Sequence, residues 1–229
     1  MLRKVPLLSG ESYHIYNRGA HKQAIFTCKD DYTRFLALLH LSNHKEPILI
    51  RDILEKSKYR GRFSGEIFTE LVDKSLVEVL AYSLMPNHFH LVLRQKSELG
   101  ISTFMRKLSV GYSMYFNLIH QHSGTLFQGR FKSSHINTDP YFKWIFSYVH
   151  LNPVAMVEPA WEEKKIGDSQ RANDFLANYQ YSSYVDYYIA ERPHRAILAY
   201  DEARDFIDKK DDIVALVADY ARGKVLYQP

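Results

Sequence analysis

His88 and His90 stand two residues apart in the run Leu84-Met85-Pro86-Asn87-His88-Phe89-His90-Leu91-Val92-Leu93. The stretch before it, Val77 to Leu84, is apolar and rich enough in β-branched and aromatic residues to be a buried strand. Met85-Pro86-Asn87 punctuates as a tight turn, and His88 to Arg94 reads as the returning strand. Strand side chains alternate between faces, so the two imidazoles point one way while Phe89 and Leu91 point the other. Paired imidazoles on a sheet can hold one metal ion. Two histidines satisfied by hydrogen bonds would give the same pattern.

A second set of groups lies further along. In Tyr141 to Leu151, residues Phe142, Ile145, Phe146 and Val149 define the apolar face of a helix. At about 100° per residue, Tyr148 falls roughly 100° from the centre of that face, on the flank, where its hydroxyl can reach out of the core. Asn152 follows four residues later and lies above Tyr148 on the same side. A flank tyrosine is ordinarily an interfacial packing residue, but a neighbouring cation gives it a second use. A metal held by His88, His90 and the carboxamide oxygen of Asn152 would polarise a phosphodiester oxygen. Imidazole and oxygen ligands with open positions suit Mg²⁺ or Mn²⁺. No cysteine or carboxylate in these segments completes a closed zinc site. A phenol of pKa about 10 is a poor nucleophile until its electrophile is activated. Attack by Tyr148 would leave a phosphotyrosine on one side of the break and a free hydroxyl on the other. That linkage conserves the bond energy, which favours strand transfer over hydrolysis.

These groups need a scaffold. Glu11 to Arg18 reads as a strand stopped by Gly19. Asp30 or Asp31 caps a helix running to about His44, closed by Pro47. Ile48 to Lys74 is polar and broken by Gly61 and Gly65, an insertion with one helical stretch, Ile50 to Lys56. After the hairpin, Gly100 to His122 carries Ile101, Phe104, Met105, Leu108, Tyr112, Tyr115, Phe116 and Ile119 at three- and four-residue steps, a long amphipathic helix ended by Ser123-Gly124. Leu126 to Asn137 alternates as a fourth strand, with Gln128, Arg130 and Lys132 on one side and Phe127 and Phe131 on the other. Thr138 or Asp139 then caps the last core helix, with Pro140 in its first turn and Asn152-Pro153 at its end. Strand, helix, strand, strand, helix, strand, helix is the order of a ferredoxin-like α+β domain, with an antiparallel sheet and helices on one face. The expected division is 1–160 for this catalytic domain, with an insertion at about 46–75, and 161–229 for a partly helical extension. In the extension, Lys164 to Ala172 reads as loop, Ser182 to Ala190 as a short strand or helix, and Asp201 to Arg222 as two short helices.

Composition bounds the function. The 229 residues are 46% hydrophobic, enough for a core, and contain no run of apolar residues long enough to span a membrane. Met1 to Pro6 is too short and broken for a secretory signal. Cys28 is the single cysteine, so no internal disulfide forms and a reducing cytoplasm is the natural compartment. A net charge of +4 permits nucleic-acid binding without requiring it.

In that order and spacing, Tyr13-His14-Ile15-Tyr16-Asn17-Arg18-Gly19, Leu84 to Leu91, Gly124 to Lys132 and Tyr148-Val149-His150-Leu151-Asn152-Pro153-Val154 resemble the single-tyrosine HUH transposases of small insertion sequences and the related REP-associated tyrosine transposases. The likeness spans Tyr13 to about Val157. It implies a ferredoxin-like domain acting on single-stranded DNA with hairpin or palindromic elements. It puts the His-hydrophobe-His pair on His88 and His90, the nucleophile on Tyr148 and the polar third ligand on Asn152. Insertion-sequence members more often carry glutamine there, so Asn152-Pro153 favours the REP-associated branch. The resemblance allows either a monomer or a homodimer that exchanges tyrosine helices.

Candidate DNA contacts are Gln128, Arg130 and Lys132 for phosphates, Asn17 and Arg18 for bases, and Tyr141 for stacking. Arg106 and Lys107 read as a solvated helix face, Tyr187 and Tyr188 as packing residues, and His150 as a spectator; His135 has no assigned role. Besides a nuclease-transferase, two readings stay open. One is a hydrolase using the same metal and a water. The other is a non-catalytic module that only binds hairpin DNA.

Overall fold

The computed structural model describes residues 6–46, 65–69, 75–161 and 166–204. Its centre is a four-stranded sheet of β1 (Ser12–Arg18), β2 (Val77–Met85), β3 (His88–Gln95) and β4 (Lys132–Ile136), in the order β2-β3-β1-β4. All three pairings are antiparallel. This is the ferredoxin-like order expected from the sequence. Pro86 makes the β2–β3 turn, and its carbonyl accepts from the Ile25 and Phe26 amides at 2.8 and 3.0 Å, which anchors the turn to the segment after β1.

Helices α1 (Lys29–Leu41) and α2 (Gly100–Ile119) cover one face. Tyr13, Ile15, Phe89, Leu91 and Leu93 from the sheet pack there with Phe35, Leu38, Phe104, Leu108 and Tyr112. The remaining core helix, α3 (Asp139–Leu151), lies across the other face, where Phe142, Ile145, Phe146 and Val149 meet Leu80, Ala81, Val92 and Ile136. A register shift between Val79 and Ala81 turns Leu80 and Ala81 both toward α3.

Thr138 caps α3, its hydroxyl accepting from the Tyr141 amide at 3.3 Å. At α1 the cap differs from expectation. The N-cap is Cys28, and Asp31 sits three residues inside, accepting from the Thr27 amide and hydroxyl and the Cys28 amide. The other Asp31 oxygen accepts from His120 at 2.8 Å and Tyr115 at 3.2 Å. Burial pushes this carboxyl up, but the bonds from His120 and Thr27 outweigh it, and its pKa lies below the usual value of 3.8. A depressed carboxylate contributes stability above its unfolded-state pKa and loses it as pH falls through the folded one. Asp31→Asn should therefore cost about 3 kcal/mol at neutral pH, and the difference from the parent should shrink below pH about 4. Urea unfolding in chelator across pH measures both.

Further differences from the sequence reading concern the fourth strand and the extension. The fourth strand begins at Lys132, not Leu126. Gly129 takes φ +92° and its amide closes a turn onto the Phe127 carbonyl at 2.7 Å, so Leu126 to Phe131 loops rather than pairs. The apolar side chains there still bury, with Leu126 and Phe127 in the core and Phe131 packed against it, but the pairing is limited to a single bridge from Phe127 to Gly19. Of the stretch read as loop, the part from Ser169 belongs to helix α4 (Ser169–Asn178), while Tyr184–Tyr188 is helix α5 and Tyr200–Arg204 helix α6. The expected helix Ile50 to Lys56 and the chain beyond Arg204 lie outside the described residues.

The extension covers the edge of the sheet. The backbone of β2 is met by Tyr181, Ser183 and Ala199, through Leu84 N to Tyr181 O, Ser183 N to Tyr82 O and Ala199 N to Val79 O. An open strand edge is thus paired. Arg192 forks onto Asp186 with two contacts of 2.8 Å and also reaches the Tyr82 hydroxyl, which fastens the extension to β2.

Candidate active site

The α3 side of the sheet carries a set of aligned rows. Register places Lys132, Tyr16, His90 and Ser83 side by side, then Arg18, His88 and Met85 in the next row toward the hairpin, and Ser134, His14, Val92 and Ala81 in the row on the other side. His88 and His90 share this face, as strand alternation requires. Their rings lie 5.1 Å apart, at right angles.

Tyr148 projects from the α3 flank onto the same patch. Its ring stands edge-on to His90 at 5.6 Å and to His14 at 6.1 Å, and is stacked on Trp144 at 5.4 Å. It is half-buried, not sealed in the core. One turn on, Asn152 ends the helix with its amide bonded to the Tyr148 carbonyl. Its carboxamide oxygen lies 3.1 Å from His88 Nε2. The flank geometry read from the helical period therefore brings Tyr148 and Asn152 to the two histidines. Leu151 and Val154 set this corner by packing on Trp161, Ile166, Ala172 and Leu176.

Burial holds the imidazoles neutral. His90 is pushed well below the ordinary 6.5 by desolvation and then by neighbouring His14 and His88. His88 is lowered by desolvation, with Asn152 working against it and Arg18 adding to it. His14 falls to about 4 through burial. Neutral imidazole is the form that ligates metal.

The hydrogen bonds of His88 test whether a cation fits. Its Nδ1 lies 2.6 Å from Asn87 Oδ1, and its Nε2 3.1 Å from Asn152 Oδ1. Both neighbours are acceptor oxygens, yet a neutral ring carries one N–H. Asn87 is oriented by its Nδ2 donating to the Lys22 carbonyl at 3.3 Å. With the His88 proton on Nδ1, the Nε2 lone pair meets the Asn152 oxygen lone pair, an arrangement that a divalent cation between them relieves. The donor set, two neutral imidazoles and one carboxamide oxygen, fits a divalent cation.

His14 was not singled out from sequence as a site residue. Its Nε2 lies 2.8 Å from His90 Nδ1, and the rings stack at 5.0 Å. When His90 keeps Nε2 available, its Nδ1–H donates to His14, which is how a ligating histidine is normally oriented. Parity along Tyr13-His14-Ile15-Tyr16 put His14 and Tyr16 on one strand face, but which face met His90 depended on register.

The DNA-contact candidates divide. Arg18 and Lys132 are exposed on the site face, and Arg18 Nε donates to Gln128 Oε1. Gln128 and Arg130 are exposed in the loop before β4, so they do not share a strand edge with Lys132 as expected. Asn17 is buried, with Nδ2 on the Gly129 carbonyl and Oδ1 on the Arg18 amide; it shapes the loop rather than facing a base. Tyr141 is also buried, packed with Ile136 and Trp144, because the first turn of α3 lies against the sheet; it offers no open ring face for stacking. Lys107 is not merely solvated: its ammonium donates to the His44 and Glu46 carbonyls beyond α1. His150 is fully buried with Nε2 on Ser183 Oγ at 2.7 Å, consistent with a spectator, and Tyr187 packs with its hydroxyl on the Leu80 carbonyl. His135 pairs with Glu11 at 2.8 Å.

A family model described as "Transposase IS200 like" matches residues 12–152. No curated protein matches at a significant level. Among solved structures, one described as "Structure of the REP associates tyrosine transposase bound to a REP hairpin" is similar, with a TM-score of 0.49 and 12% identity over 82% of this chain and 84% of that one. Among the described residues no helix is long and apolar enough to cross a membrane.

Proposed function

The chain belongs to the IS200-like transposase family, and from that premise we propose that it is a metal-dependent single-stranded DNA endonuclease and strand transferase. Its substrate is DNA carrying hairpin or palindromic elements, and Tyr148 is the nucleophile. The observation that carries this reading is the convergence of Tyr148, His88, His90 and Asn152, from a helix flank, a strand and a helix end, on one patch of the sheet. The four groups meet within one chain, which supports use of Tyr148 in cis over exchange of a helix. Residues 1–160 form the catalytic unit, and the extension from residue 161 holds β2 and the end of α3 in place.

His88 and His90 would hold Mg²⁺ or Mn²⁺ with Asn152. The bound ion would draw charge from a non-bridging phosphate oxygen and so make the phosphorus attackable. Tyr148 Oη forms the new P–O bond while one bridging P–O bond breaks. The phenol proton leaves to solvent, and the departing oxygen takes up a proton to become a hydroxyl. Trp144 keeps the Tyr148 ring from rotating away. Arg18 and Lys132 supply positive charge to neighbouring phosphates. Asn152-Pro153 supports a REP-associated type of substrate over an insertion-sequence end.

Labelled hairpin oligonucleotide with Mn²⁺ is the test. A covalent protein–DNA adduct together with a free-hydroxyl fragment supports strand transfer. Cleavage without an adduct indicates a hydrolase, and a mobility shift alone a binding module; either overturns the proposal.

His14→Phe preserves the ring stack but removes the acceptor for His90 Nδ1–H. The expected result is a half-saturating Mn²⁺ concentration about 10–100-fold higher, the usual cost of losing a partner behind a metal ligand. His14→Gln should recover part of it. A Mn²⁺ titration of adduct formation reads both.

A further inference from the structure

On the opposite side of the sheet, the N-terminus of α1 meets the C-terminus of α2. We propose that Cys28, Asp31 and His120 there form a second cation site, selective for a thiophilic divalent ion such as zinc. One ligand atom from each of the three residues lies within 4.8 Å of the others. Around a tetrahedral zinc, ligand atoms sit about 3.3–3.6 Å apart, given Zn–S near 2.3 Å and Zn–N and Zn–O near 2.0 Å. His120 Nε2 and Asp31 Oδ1 are already 2.8 Å apart, so they need only open slightly. Cys28 is exposed, which leaves its side chain room to close the remaining gap and leaves a fourth position facing solvent.

The surroundings favour a cation. Asp31 is 0% exposed, and its ion pair on that oxygen is the partly exposed His120. Thr27 occupies the other carboxylate oxygen and fixes its orientation. Tyr115 donates to Oδ1 at 3.2 Å and completes the buried side. His120 is the C-cap of α2, where the helix dipole favours positive charge. An entering ion takes the place of a proton between Nε2 and Oδ1, and the thiol proton leaves to solvent as the thiolate binds. The two sites then differ in hardness. The histidine pair with Asn152 offers no sulfur and no carboxylate, whereas this one offers thiolate, imidazole and carboxylate, a set that suits zinc. A bound ion would tie α1 to α2.

Because Cys28 is the chain's one cysteine, Co²⁺ reports on it directly. The full chain, reduced and stripped with chelator, is titrated with Co²⁺. The expected result is a near-ultraviolet sulfur-to-cobalt charge-transfer band with tetrahedral-intensity visible bands, saturating at one equivalent and erased by stoichiometric Zn²⁺. Cys28→Ser should abolish the charge-transfer band. His120→Ala should weaken cobalt binding at least tenfold, and His120→Gln takes its place if the alanine variant does not fold. A double His88→Ala/His90→Ala variant should keep the band, which separates this site from the other. Absence of the band in the parent overturns the proposal. So does undiminished cobalt affinity in the His120 variant, which would mean an isolated thiolate picking up metal.

Discussion

Tyr148→Phe should form no covalent adduct with a hairpin oligonucleotide under conditions where the parent does, while binding the same DNA with affinity unchanged within about twofold. The substitution removes one oxygen. The ring that stacks on Trp144 and meets His90 edge-on stays, so thermal unfolding should move little. A phenylalanine cannot form the phosphoester, and no partial activity is expected, because a missing nucleophile is not replaced by better positioning of the rest. Denaturing gels resolve the adduct, and mass spectrometry of the digested complex names the residue carrying phosphate. An adduct that survives in Tyr148→Phe, or maps to another tyrosine of the seventeen, would remove the centre of the proposed mechanism.

The second large effect is at the histidine pair. His88→Ala and His90→Ala should each lower the single-turnover rate of adduct formation by on the order of 10²–10⁴, since charge stabilisation by a bound ion is worth several kcal/mol of barrier. The two variants differ in their control. His88 is half-buried and its loss should leave the fold intact; His90 is buried between His14 and Tyr148, and its removal leaves a cavity. Unfolding curves must therefore accompany both, and His88→Ala carries the argument if His90→Ala is destabilised. Raising Mn²⁺ should recover part of the rate in His88→Ala, because one imidazole and Asn152 remain. A His88→Ala protein that reacts at the parental rate with the parental Mn²⁺ dependence would show that the pair does not serve a metal.

Both effects depend on α3 being held over one sheet face while α1 and α2 occupy the other. If α3 lay elsewhere, Tyr148 would be a packing tyrosine like Tyr187. Its position is fixed from two sides. Ile145 and Phe146 bury against Val92 and Ala81 of the sheet, and Leu151 and Val154 bury against α4 of the extension. The extension, composed as an apparently separate tail, thus shares the core that sets the end of the tyrosine helix.

Much of this was legible without coordinates because it is short-range. The period of two in His88-Phe89-His90 and the period of 3.6 in Tyr141 to Asn152 are consequences of backbone geometry within a few residues. So were the Pro86 turn and the Thr138 cap. These local rules determined that the two imidazoles share a face, that Tyr148 sits on a helix flank and that Asn152 stands above it. What tertiary structure alone decided was everything set by pairing between distant segments. The β1–β3 register brings His14 within 2.8 Å of His90 across 76 positions of chain, and no local pattern encodes that offset. The turn at Gly129 delays the fourth strand to Lys132 although the residue types alternate through it, because apolar side chains can bury on a loop as well as on a strand. Asn17 and Tyr141 looked available in sequence and proved enclosed, since exposure depends on what packs above a residue and that is chosen by the whole fold.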